Sequence, residues 1–126
     1  MNDKIFWAII DKMNWTKDYN YKRISKEVKN QIYGDKERMM WFLETYNKKI
    51  DTLTNIAHQM NPKEYQKYIN KTDEELWETI SYIIGLGKKH YNAIIKKHSK
   101  FKKYKKNKSI ENFSYSFEII YRMKEL

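Results

Sequence analysis

The sequence predicts an all-α protein, a compact single-domain bundle of five to seven helices. Three observations carry this. Only 3 glycines and 1 proline occur in 126 residues, so helix breakers are rare. Apolar residues recur at spacings of three and four along several long segments, the signature of amphipathic helices. No strand–helix alternation and no internal repeat is present. A hydrophobic fraction of 40%, with 16% aromatic residues, supplies a real core despite 33% charged residues.

Ile5, Phe6, Ile9, Ile10 and Met13 form the stripe of a first helix over Asp3 to Met13, with Asp3 placed to cap it. Asn14 to Asn20 is polar and aromatic and reads as a connection. A second helix is expected from about Tyr19 to Tyr33, turning Tyr21, Ile24, Val28 and Ile32 inward. Gly34 ends it and Asp35 caps the next helix.

The third helix has the longest seam: Met39, Leu43, Tyr46, Ile50, Leu53, Ala57 and Met60. Lys48, Lys49 and Asp51 fall on its opposite, polar face. Asn61-Pro62 stops it, because proline disfavours helical geometry in the residue before it. A short helical turn over Lys63 to Ile69 docks Tyr65, Tyr68 and Ile69 inward. Thr72 and Glu75 then form a capping box, and Asp73 and Glu74 add negative charge at the positive end of the helix dipole. Leu76, Ile80, Ile83, Tyr91 and Ile94 continue one inward face across Gly85 and Gly87, where the glycines imply a break or a close approach. After a lysine run, Ser109 caps a closing helix with Ile110, Phe113, Phe117, Ile120 and Tyr121 inward.

The chemistry that these residues offer is limited. Without cysteine there is no disulfide, thiolate metal site or cysteine nucleophile. No P-loop, dinucleotide fingerprint or nucleophile elbow occurs. His58, His90 and His98 lack metal-ligand spacing. Helix capping accounts for Asp73, Glu74 and Glu75, so with Glu78 they make a weak acid–base set. No cofactor or metal is expected, and a non-enzymatic protein is the better expectation. No apolar run is long enough for a membrane span and no signal-peptide pattern opens the chain, so a cytoplasmic location is expected, with no membrane partner. The four N-x-[ST] triplets, at Asn14, Asn70, Asn107 and Asn112, are then without consequence.

Charge is the remaining signal. Of a formal net charge of +10, most comes from Lys96, Lys97, Lys100, Lys102, Lys103, Lys105, Lys106 and Lys108, with no acid among them. This run reads as a basic loop at about 96–108, with Phe101 and Tyr104 interleaved. It suits RNA or DNA phosphates, the rings being available for base stacking, and equally an acidic protein surface. The competing explanation is a solvated run in the Lys-, Asn-, Ile- and Tyr-rich protein of an AT-rich genome. Few arginines weaken the case for base readout. Spare aromatics, Trp15 and Trp41 among them, are candidate interface anchors, while Trp7 and Trp77 adjoin core stripes and are expected to be buried.

The residues also resemble a bacterial family catalogued as domain of unknown function 4240. Its opening F-W-x-x-I is matched by Phe6, Trp7 and Ile10. Its S-D-D-x-[FL] helix start, with the aromatic, L-I, glycine and tyrosine that follow, resembles Thr72, Asp73, Glu74, Leu76, Tyr82, Ile83, Ile84, Gly87 and Tyr91. Leu53 and Ala57 fall in its L-W-x-A-A helix, and the closing helix resembles its tyrosine-rich end. Thr54 stands where that family has tryptophan, Glu75 where it has glycine, and the lysine run where it is Asp-Pro-rich. The resemblance implies a helical domain with no established activity and transfers no catalytic residue.

Taken together, the expected function is binding to a macromolecule through Lys96, Lys97, Lys100, Lys102, Lys103, Tyr104, Lys105, Lys106 and Lys108, with Trp15 and Trp41. The partner would be a protein or ribonucleoprotein with an acidic or RNA-binding surface. Inhibition of a nucleic-acid-handling complex, as by an anti-CRISPR or toxin-neutralising protein of a bacterium or phage, would be one outcome. Direct binding of RNA or DNA through residues 96–108 is the alternative.

Overall fold

The structure, a computed structural model, describes residues 2–13, 26, 36–105 and 110. They form helices α1 (Asp3–Met13), α2 (Lys36–His58), α3 (Pro62–Tyr68), α4 (Asp73–Gly85) and α5 (Lys88–Lys96), followed by a 3₁₀ helix (His98–Tyr104). No strand occurs among the described residues, and none of their helices is long and apolar enough to cross a membrane. Most of the expected second and closing helices, including Gly34 and Asp35, lies outside the described residues. Lys26 and Ile110 are helical, Lys26 exposed and Ile110 buried.

Helix α4 is the central element. Every residue from Thr79 to Gly85 is buried, so this part of the helix is enclosed on all sides rather than amphipathic. Its polar groups are largely satisfied locally: the Thr79 hydroxyl donates to the Glu75 carbonyl at 2.8 Å. The Tyr46 hydroxyl donates to the Ser81 carbonyl at 2.7 Å. The capping box is present, with Glu75 N–H donating to Thr72 Oγ1 at 3.2 Å and Thr72 N–H to Glu75 Oε1 at 3.0 Å. Such a cap stabilises a helix by about 1 kcal/mol. The backbone hydrogen bond to Thr72 holds the Glu75 carboxyl below the usual carboxylate range.

Helix α2 runs antiparallel to α4, since Tyr46 meets Ser81 while His58, twelve residues later, meets Asp73. Met39, Leu43, Tyr46, Ile50, Leu53 and Ala57 of its seam are buried, and so is Phe42. Helix α1 lies across them, with Phe6 centred 5.2 Å from Phe42 and 5.9 Å from Tyr46. Trp7 packs on Tyr91 of α5 at 5.5 Å. Offset and edge-on ring pairs of this kind add about 0.5–1.5 kcal/mol each beyond burial.

The fold corrects three expectations. Asn2, not Asp3, caps α1: its Oδ1 accepts from Ile5 N–H at 3.1 Å. Lys49 does not belong to a solvated face; it is 8% exposed and its ammonium pairs with the carboxylate of Asp3 at 3.2 Å. The apolar stem of lysine lets it serve as a core residue while its head finds a partner. Trp77 is exposed at 39% rather than buried, because the inward face of α4 is taken by Leu76 and Ile80 on either side of it.

The break at Gly85–Gly87 has a definite geometry. Helix α4 ends at Gly85, and Gly87 opens α5 with φ 118° and ψ 172°. Only glycine adopts this region readily. A second positive φ, 49° at Asn70, follows α3; asparagine tolerates the left-handed region better than other residues with a Cβ.

Candidate functional site

The lysine segment is not an irregular loop where it is described. Lys100 N–H donates to the Lys97 carbonyl at 3.0 Å and Lys105 N–H to the Lys102 carbonyl at 3.2 Å, the i to i+3 pattern of a 3₁₀ helix. Three residues per turn bring residues 98, 101 and 104 onto one face. Phe101 and Tyr104, three apart, therefore turn inward together and are 2% and 4% exposed. The Tyr104 hydroxyl lies 2.7 Å from Nδ1 of His90 on α5. This overturns the expectation that both rings are available for base stacking. They are the anchor that fixes the segment to the bundle.

The same periodicity turns the cations outward. Lys96, Lys97, Lys100, Lys102 and Lys103 are exposed, and Lys105 is half-buried with its ammonium 3.4 Å from the Gln66 carbonyl. No carboxylate among the described residues forms an ion pair with any of these lysines. Burial holds the imidazole of His90 below its ordinary pKa, and the like charges of Lys103 and Lys89 add to it. Lys106, Lys108 and Trp15 lie outside the described residues. Trp41 is half-buried and packs against the core, apart from the lysine segment in sequence.

Beside this basic face lies a cleft of about 460 Å³. Its floor is Ile56 and Met60, from the last turn of α2 and just beyond it, together with Tyr68 of α3. Lys96, Lys97, His98 and Glu64 also line the cleft. The cleft exists because Asn61 and Pro62 start α3 immediately after α2 ends: Asn61 Oδ1 accepts from Glu64 N–H at 2.8 Å and proline occupies the first turn. The 3₁₀ helix then packs on α3. In the sequence Ile56 and Tyr68 read only as apolar positions; nothing local shows that they line one cleft with Lys96 and Lys97.

A smaller hollow of about 120 Å³ is lined by Thr54, His58, Asp73, Leu76 and Trp77. His58 Nε2 lies 4.0 Å from Asp73 Oδ1, both groups exposed. Glu75 is committed to the capping box, so the acids at the start of α4 do not converge. Among the described residues no three metal-ligating side chains come together.

Comparison with known proteins finds no matching family model, curated protein or solved structure.

Proposed function

We propose that this is a non-catalytic binding protein whose working surface is the lysine face of α5 and the 3₁₀ helix, and that its partner is a protein with an acidic surface. One observation carries the proposal: five exposed lysines, from Lys96 to Lys103, stand on a segment pinned by Phe101 and Tyr104, with no carboxylate among the described residues paired to them. A surface of one sign steers encounter with a partner of the opposite sign and rejects like-charged ones. Inward burial of both rings favours a protein over single-stranded nucleic acid, which such proteins hold by stacking bases on exposed aromatics. Lysines without arginine also suit charge recognition better than base readout.

Occupying an acidic surface of a nucleic-acid-handling complex would make such a protein an inhibitor, of the anti-CRISPR or toxin-neutralising kind. The test is co-purification from the native host with the parent protein and with the variant Lys100→Glu/Lys102→Glu/Lys103→Glu, both checked for equal helicity. A stoichiometric protein retained by the parent and lost from the variant supports the reading. A partner indifferent to charge reversal removes the basic face from its role, and a nuclease-sensitive complex assigns the face to nucleic acid.

A further inference from the structure

The cleft beside the lysines gives this reading a shape. Resting on the proposal that the basic face meets an acidic protein, we infer that the cleft takes a segment of that partner in which one bulky apolar side chain is flanked by aspartate or glutamate.

Three features specify this occupant. Ile56, Met60 and Tyr68 form an apolar floor that receives a side chain, and about 460 Å³ is room for a large one with its neighbours. Lys96 and Lys97 at the rim stand where flanking carboxylates reach them, and Lys67, whose ammonium lies 5.6 Å from the centre of the Tyr68 ring, adds a third cation beside the floor. Glu64 also lines the cleft. Its carboxylate can accept a hydrogen bond from a peptide N–H of the bound segment. A second copy of this chain is disfavoured by its own net charge of +10.

The experiment measures fluorescence anisotropy with a labelled peptide of alternating Asp and Glu around one central Phe. The same peptide with a central Ala, and an oligothymidylate of equal charge, serve as comparisons. The Phe peptide is expected to bind about tenfold or more tightly than the Ala peptide, the floor supplying the difference. Ile56→Lys should abolish the difference between the two peptides, since any gain from the added charge is shared by both. Met60→Lys, just beyond the end of α2, repeats the test should Ile56→Lys lower helicity. Lys96→Glu/Lys97→Glu should weaken both peptides. If the two peptides bind alike and only Lys100→Glu/Lys102→Glu weakens them, the cleft has no such role and the basic-face reading stands. If neither peptide binds at low salt, the basic-face reading itself fails. Tighter binding of the oligothymidylate than of either peptide overturns both in favour of nucleic acid.

Discussion

The ammonium of Lys49 lies 3.2 Å from Asp3 Oδ2 and within 5.1–5.2 Å of the ring centres of Phe6, Trp7 and Tyr91. One cation thus joins α1, α2 and α5. Cation–ring attraction strengthens as water is excluded, and the Lys49 side chain is only 9% exposed while that of Asp3 is 68% exposed.

The two partners should therefore respond unequally to mutation. Asp3→Asn removes an attraction already screened by solvent and is expected to cost about 1 kcal/mol or less, decreasing with salt. Lys49→Ala also leaves a gap beneath three rings and is expected to cost about 2–4 kcal/mol. Lys49→Met, which keeps the stem, should fall between the parent and the alanine variant. Urea midpoints at unchanged m-value measure all three. Equal losses for Asp3→Asn and Lys49→Ala would show that the ion pair, not the packing, dominates.

Ser81 Oγ is buried without a hydrogen-bond partner among the described residues. Ser81→Ala removes an unsatisfied polar atom, so stability should be unchanged or slightly higher. Tyr46→Phe deletes the bond to the Ser81 carbonyl and should cost about 1 kcal/mol. Burial alone holds the Tyr46 phenol well above its ordinary pKa. It should therefore stay protonated in alkaline solution that ionises exposed tyrosines. Ultraviolet titration of the parent against Tyr46→Phe tests this.

Gly87→Ala forces a Cβ into φ 118°, with Asp11 Oδ1 only 3.4 Å from the added atom. The backbone cost should be about 1–3 kcal/mol. Contact with the flexible end of Asp11 is minor beside it. Thermal melts should show a clear loss for Gly87→Ala, and pairing it with Asp11→Ala should recover little.

His90 gives stability a pH dependence with a defined sign. Its pKa is lowered from 6.5 by burial, then by Lys103 and Lys89. The unfolded chain binds a proton that the folded chain resists. This contribution is fully present above the ordinary value and is lost as pH falls below it towards the depressed folded one. His90→Gln should flatten that slope relative to the parent. An imidazole NMR titration giving His90 a pKa above the ordinary value would reverse the sign.

Local rules in the sequence determined the all-α fold and many of its details. The capping box at Thr72 and Glu75, the stop at Asn61-Pro62, the seam of α2 and the break at the glycines depend on residues within a turn or two of one another. Tertiary structure decided what depends on distant partners. Lys49 reads as a surface residue until Asp3 and three rings converge on it from other helices. Phe101 and Tyr104 read as exposed rings in a charged run until a 3₁₀ repeat turns both inward and the Tyr104 hydroxyl meets Nδ1 of His90. The cleft combines Ile56 and Tyr68 with Lys96, forty residues after Ile56. Periodicity along one helix reveals which face is apolar, but burial and charge pairing are set by what packs against that face.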